Sequence, residues 1–231
     1  MDQKKHQLLE RFEGITLKSI DYREFDKILY IFTQSEGVKH LIVKGAKRPK
    51  SRAKAALSPL VHAEFLCEKK MGQSELTVCR EISTMNLNLF LRENIDMLES
   101  ACAMARAIQK TQLPNCPTPL LFELFKAYIE KIKNCSSLPN LVASFHLKLL
   151  RHDGILALPP RCNQCEDLLT KAYFYDSQPY CQHHAPPKSL QFNEEELNRM
   201  ATLTFSRDLR EIMELQLPEQ LPQKIQRTWY S

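Results

Sequence analysis

The sequence predicts an α+β protein, a small β-barrel followed by helices, and three observations carry that prediction. Apolar residues alternate with period two over the first 84 of 231 residues. Beyond that point they recur at spacings of three and four. A cysteine-rich stretch, residues 162–184, then interrupts the helical part.

Residues 13–22 (EGITLKSIDY) and 26–34 (DKILYIFTQ) read as strands, Ser35-Glu36-Gly37 as a turn, and Val38–Val43 as the next strand. In residues 61–69, Val61, Ala63, Phe65 and Cys67 face one way, and His62, Glu64 and Glu68 the other. Lys70-Met71-Gly72-Gln73 predicts a hairpin turn, and Leu76, Val78 and Ile82 mark one face of a fifth strand. Five short strands in so short a stretch suit a small closed barrel of the OB type, which binds single strands.

The periodicity changes after Thr84, which places a barrel domain at 1–84 and a helical domain at 85–231, with an insert at about 160–186. Leu91, Ile95, Leu98, Cys102 and Ala105 form one amphipathic stripe, ended by Pro114 and Pro117. Thr118 is placed to cap the next helix, with Pro119 at its first position and Leu121, Leu124, Phe125, Tyr128 and Ile132 on one face. A third helix around Leu141, Phe145 and Leu149 ends near Gly154. Asn193 with Glu196 marks a further helix start, by analogy with the capping box. Pro218 and Pro222 break up the C-terminal segment.

Composition is ordinary for a soluble globular protein, 43% hydrophobic and 26% charged, and the net charge is only +5. The N-terminal MDQKKHQLLER has no apolar core of a secretory signal, and no run of about 18 apolar residues occurs. A cytoplasmic protein without membrane association is the expectation. Eight cysteines in such a chain point to reduced thiols and a metal site rather than disulfides.

The excess of positive charge is clustered. Leu41-Ile42-Val43 leads into Lys44, Gly45, Lys47, Arg48, Lys50, Arg52 and Lys54 with no acidic residue between, and Lys39 precedes them. A basic loop held between two strands is a fixed electropositive surface and suits a phosphate backbone. A solvated loop or a localisation-like run is the alternative. Tyr22, Phe25, Tyr30 and Phe32 have rings that stack bases, but Tyr30 and Phe32 lie in a strongly apolar strand and are expected in the core.

Cys162, Cys165, Cys181 and His184 make the pattern C-x2-C-x15-C-x2-H, with His183 as an alternative fourth ligand. Each short spacing lets two ligands converge on one tetrahedral ion, and four protein ligands leave no position for water. A structural Zn2+ is expected. Zinc deaminases pair H-x-E with P-C-x-x-C. Here His62-Ala63-Glu64 sits in a strand pattern, Arg161 separates Pro160 from Cys162, and Cys181 and His184 serve the same ion better. There is no Walker A, G-x-G-x-x-G or G-x-S-x-G motif, so no enzyme is expected.

The run GITLKSIDYREFDKILYIFTQSEG, followed by KGAKRPKSRAKAALSPL, resembles the RecO family of bacterial recombination-repair proteins. The segments Asp21-Tyr22-Arg23-Glu24-Phe25-Asp26 and Lys44-Gly45-Ala46-Lys47-Arg48-Pro49-Lys50-Ser51-Arg52 are the most specific, and the helical half resembles the zinc-bearing members. His184 stands where a fourth cysteine is usual, and QRTWYS differs from the family's basic end. The resemblance implies a non-enzymatic recombination mediator that binds single-stranded and double-stranded DNA and anneals complementary strands. It implies partnership with RecR, with or without RecF, and an indirect action on RecA as it replaces the single-stranded-DNA-binding protein SSB. It also implies docking of the acidic, apolar SSB tail on the helical domain, in a bacterial cytoplasm at the nucleoid. Readings from other classes are an RNA- or ribosome-associated OB-fold factor and a zinc-stabilised protein adaptor.

Overall fold

The computed structural model describes residues 8–49, 51, 53–68 and 76–230. The chain divides into two compact units, residues 1–127 and 128–231. The division falls inside a helix, so two helical segments accompany the strands in the first unit.

The five strands are β1 (Leu9–Tyr22), β2 (Asp26–Thr33), β3 (Gly37–Val43), β4 (His62–Glu68) and β5 (Leu76–Asn86). They close as β1-β2-β3-β5-β4, with β1 returning to pair with β4 and with β3 and β5 parallel. This is the OB-type barrel expected from the strand pattern. The predicted turn at Lys70–Gln73 lies outside the described residues. One long strand serves two partners: Leu9–Ile15 pairs with β4, and Gly14–Tyr22 pairs with β2. A register shift between Thr16 and Lys18 bends it. At Gly14 a Cβ would stand 3.0 Å from the Phe32 carbonyl oxygen, so the strands meet there without a side chain.

Alternation fills the barrel. Leu29, Ile31, Leu41, Val61, Ala63, Phe65 and Cys67 are inside and fully buried. Outside, Phe32 is also buried, because Phe122 and Phe125 lie 5.8 and 6.4 Å from its ring. Those two phenylalanines belong to α2 (Pro119–Ile132), which follows a 3-10 turn at Leu89–Arg92 and α1 (Ile95–Thr111). Leu91, expected on the first helix, sits in that turn, and Asn94 caps α1 by accepting from the amides of Asp96 and Met97. Thr118 does not cap α2 with its side chain: its hydroxyl is buried without a hydrogen bond, and only its carbonyl accepts from Phe122.

The second unit holds α3 (Leu138–His152), β6 (Ala172–Tyr175), β7 (Gln178–Tyr180), β8 (Leu190–Phe192), α4 (Glu194–Phe205), α5 (Leu209–Glu214) and α6 (Leu221–Trp229). Leu147, Phe174, Phe192, Met200, Leu203, Ile212 and Leu221 form its core. α3 ends in a complete Schellman motif: Gly154 adopts φ 72°, its amide donates to the Arg151 carbonyl, and Ile155 donates to Leu150. Asn193 and Glu196 make both bonds of a capping box at α4. The C-terminal aromatics are structural. Trp229 packs edge-on at 5.0 Å from Phe174, and Tyr230 stacks at 4.3 Å on His146 and donates its hydroxyl to the His146 carbonyl.

On the first unit, Glu13 of β1 joins three elements. Its carboxylate lies 2.8 Å from His62 Nε2 on β4 and 3.4 Å from Lys126 Nζ on α2. Burial pushes its pKa up, but the His62 hydrogen bond and the Lys126 charge pull it further down, below the ordinary 4.5. A depressed carboxylate stabilises the fold above its unfolded pKa and loses that contribution as pH falls through the folded value. Glu13→Gln should therefore lower stability by about 1 kcal/mol or less at neutral pH, as for a half-exposed ion pair. Urea midpoints of variant and wild type should converge as pH falls below 4.5 and through the lowered folded value. A gap that persists there would show a packing effect instead.

Candidate nucleic-acid surface and metal centre

The loop after β3 is pinned at alternate residues. The Gly45 amide donates to the Asp26 carboxylate at 2.8 Å, and the Lys47 amide donates to the Phe25 carbonyl at 2.9 Å. Between them Ala46 is inserted into the barrel core and is 1% exposed. Gly45 has φ 64°, a conformation that L side chains rarely adopt. Ala56 and Leu57, in a 3-10 turn at Lys54–Leu57, anchor the far end in the same core. With 46, 56 and 57 inside, Lys44, Lys47, Arg48 and Lys54 are left exposed. Lys50 and Arg52 lie outside the described residues.

Lys39 is placed differently. It is 7% exposed, its ammonium lies 3.2 Å from Glu36 and 3.9 Å from Glu10, and it sits over the Phe12 ring at 4.0 Å. Its charge is matched within the barrel wall, because it pairs across β2 and β3 with the buried Ile31.

The β1–β2 turn adds cations that the charge pattern of the sequence does not single out. Lys27 and Lys47 share the Asp21 carboxylate at 2.7 and 3.1 Å, and these hydrogen bonds, Lys27 first, hold its pKa below the ordinary range. Arg23 lies over Tyr22, and Arg48 lies over the exposed Phe25. A signal is nevertheless present: the two aspartates of the motif Asp21–Asp26 are the residues that fasten and partly neutralise the basic loop.

The metal-ligand candidates converge. Cys162, Cys165, Cys181 and His184 offer four ligand atoms, all within 4.8 Å of one another. The sulfurs of Cys165 and Cys181 are 3.9 Å apart, and His184 Nδ1 is 3.3 Å from Cys181 and 3.6 Å from Cys162. A tetrahedron with metal–sulfur arms of about 2.3 Å has edges of about 3.8 Å, so the donor set fits a zinc-sized ion. His183 is exposed and outside the group. Turns built by the amides of Glu166 and His184 present the ligands, and Asp176 and Ser177, at φ 48° and 62°, make the tight β6–β7 hairpin that brings Cys181 back. Burial opposes ionisation of Cys162. The amides of Cys165, Cys181 and Gln164 outweigh it and bring its pKa to about 5. At the neighbouring Cys165 the Asp167 amide favours the thiolate, but the hydrogen bond to the Asp167 carboxylate, burial and the sulfurs of Cys162 and Cys181 outweigh it and hold that thiol up. The deaminase-like pair is engaged elsewhere: His62 bonds Glu13, and Glu64 bonds Arg11.

The pinning of the loop is testable. Asp26→Ala leaves the Gly45 amide without its acceptor. Trypsin should then cut after Lys44 or Lys47 faster than in wild type, while the far-UV circular dichroism stays unchanged. Equal cleavage rates would mean that the Lys47 amide and Ala46 suffice.

The comparisons with known proteins agree along the chain. Residues 8–85 match the model of the recombination protein O N-terminal domain, and residues 92–229 match that of the C-terminal domain. The chain is 27% identical over 227 residues to DNA repair protein RecO of Oceanobacillus iheyensis, covering 96% of this chain and 86% of that one. It is 26% identical over 203 residues to DNA repair protein RecO of Chlamydia trachomatis serovar L2, covering 87% and 82%. Against DNA repair protein RecO of Desulfitobacterium hafniense it is 30% identical over 154 residues, 66% of this chain and 55% of that one. With both domain models matched in order over the barrel and the helical part, the chain belongs to the RecO family of DNA recombination and repair proteins.

Proposed function

We propose that this protein is a recombination mediator that binds single-stranded DNA, anneals complementary strands and, with RecR, helps RecA onto SSB-coated DNA. The observation that carries the reading is the pinned loop with Lys44, Lys47, Arg48 and Lys54 exposed, joined by Arg23 and Lys27 from the neighbouring turn. Lys39 serves the barrel and is not part of this surface; Lys50 and Arg52 belong to it by sequence. Annealing brings two like-charged strands together. Cations at fixed positions screen both backbones and release their counterions. The work is done by binding alone, without nucleotide hydrolysis, and the driving force is base pairing plus counterion release. Double-stranded DNA meets the same surface through its phosphates. RecR, RecF and RecA enter through the family relationship. For the SSB tail, the helical unit offers a groove of about 330 Å³ lined by Leu158, Pro159, Leu168, Leu197, Ala201 and Phe205. Arg151 lies over the Phe205 ring at 4.6 Å and supplies a cation for the tail's acids.

Substituting Glu for Lys44, Lys47 and Arg48 together should abolish annealing with circular dichroism unchanged. Removing one phosphate-binding cation should reduce the slope of log affinity against log salt by about 0.7, and removing all three by about 2. Unchanged DNA affinity in the folded variant would overturn the reading. Preference for structured RNA over single-stranded DNA would favour an RNA-associated factor.

We assign Cys162, Cys165, Cys181 and His184 to one structural Zn2+. All four positions of the ion would be filled by protein, so its contribution is order in residues 160–186 rather than chemistry. Closed zinc sites in small peptides are worth about 10–16 kcal/mol at neutral pH, ample to hold so short a segment. Cys165→Ser should lose stoichiometric zinc and expose residues 160–186 to proteolysis while the barrel stays folded. Protein purified without chelator and free of zinc by elemental analysis would refute the assignment.

A further inference from the structure

Tyr30, expected in the core, is half-buried on the outside of the barrel. Strand register explains its position. Lys18, Tyr30 and His40 are direct partners across β1, β2 and β3, so they form one row on the outer face. The next row is Ile20, Ile28, Ile42 and Val78, across β1, β2, β3 and β5. Ile20 in this row is 41% exposed. Two residues further along β2, the outer face is sealed at Phe32 by the rings of α2. The covering helix thus stops short of Tyr30. The apolar row crosses the strands between Tyr30 and the turn that carries Phe25, beside the pinned basic loop.

The chemistry at Tyr30 is that of an aromatic platform beside a cation. The Lys18 ammonium lies 4.2 Å from the ring centroid, and the His40 ring centroid is 4.3 Å away, tilted by 54°. Lys18 is exposed and its stem is flexible, and a cation over a ring is held weakly at such a site. A phosphate draws the ammonium off the ring, and a flat base can take its place. Tyr30 is five residues from Phe25 along an extended strand, roughly 16 Å at about 3.3 Å per residue. A strand whose backbone lies on the loop can therefore reach it with bases over the isoleucine row.

We propose that Tyr30, flanked by Lys18 and His40, is a stacking station for an unpaired base of a strand held by the basic loop. The proposal rests on the reading of that loop as the phosphate-contacting surface. It adds a function that charge does not supply: preference for strands with free bases over duplex or bare backbone.

The test compares oligo-thymidine with an abasic oligonucleotide of equal length, which carries the same phosphates and no bases. Wild type should bind oligo-thymidine at least about fivefold more tightly, since base–aromatic stacking is worth about one factor of that size or more per base. Tyr30→Leu should bring the ratio close to one and leave affinity for the abasic strand unchanged, and Tyr30→Trp should keep the ratio. A wild-type ratio of one, or an unaltered ratio in folded Tyr30→Leu, overturns the stacking station and leaves the loop reading intact. If wild type binds neither strand at low salt, the loop reading fails and the station with it. Independently of any variant, a strand carrying iodouracil should cross-link to Tyr30 in the wild-type protein on irradiation. Cross-links confined to other peptides would also overturn the proposal.

Discussion

The basic surface is built around one hydrogen bond, the Gly45 amide donating to the Asp26 carboxylate. Its partner two residues on, the Lys47 amide donating to the Phe25 carbonyl, makes a second rung. Two pinned amides with a buried alanine between them leave the loop little freedom, so the side chains of 44, 47 and 48 can only project outward. The arrangement would otherwise repel itself, because like charges gathered on one short segment raise each other's energy. Asp21 offsets part of that repulsion by accepting from Lys27 and Lys47 at once. The two aspartates thus do separate jobs: one sets the backbone, the other tempers the field.

Much of this architecture is legible in the residues alone, and what is not legible has physical causes. The barrel strands are readable because period two with one face inside a closed sheet leaves a clean signal at Val61, Ala63, Phe65 and Cys67. Gly154 and the Asn193–Glu196 pair are readable because caps depend on a few adjacent residues. Tyr30 is not, because β2 is apolar on both faces: one face fills the barrel, and the other lies partly under α2 and partly beyond it. Periodicity cannot tell where the covering helix stops. Lys39 misleads for a related reason. Its neighbours in sequence are basic, whereas its neighbours in space are Glu36, Glu10 and the Phe12 ring. Thr118 precedes a proline in a pattern that usually caps, but its hydroxyl is buried without a partner. The convergence of Cys162, Cys165 and Cys181 is legible from spacing alone, while the choice between His183 and His184 needs the turn that points one imidazole at the sulfurs and the other at solvent.

The cysteine knuckle also shows how a short segment borrows order from a core. β6 and β8 are three to four residues long, too short to hold a sheet by pairing alone. Phe174 and Phe192 stack edge-on at 5.2 Å, and Trp229 closes over both from α6. The Asn163 amide donates to the Pro179 carbonyl, which ties the turn of Cys162 and Cys165 to the strand that leads into Cys181 and His184. The C-terminal WY pair, which departs from a basic tail, is therefore spent on packing this insert and on His146.

If the loop serves annealing as proposed, it must hold strands and also let them go. Ion pairs between exposed groups are weak, so the link between Lys47 and Asp21 would be easily exchanged for one between Lys47 and a phosphate. The same holds for an ammonium resting on a half-exposed ring. Each interaction is individually weak, and the gain comes from several cations held in fixed relation, so that the entropy of arranging them has already been spent in folding the barrel. On the proposed reading, a bound strand would keep its bases free to move from protein to complement once pairing offered more than stacking does. Rigid placement of weak interactions is what separates this loop from a basic tail of equal charge. The tail would have to order itself on every encounter, whereas the loop is already ordered by the fold.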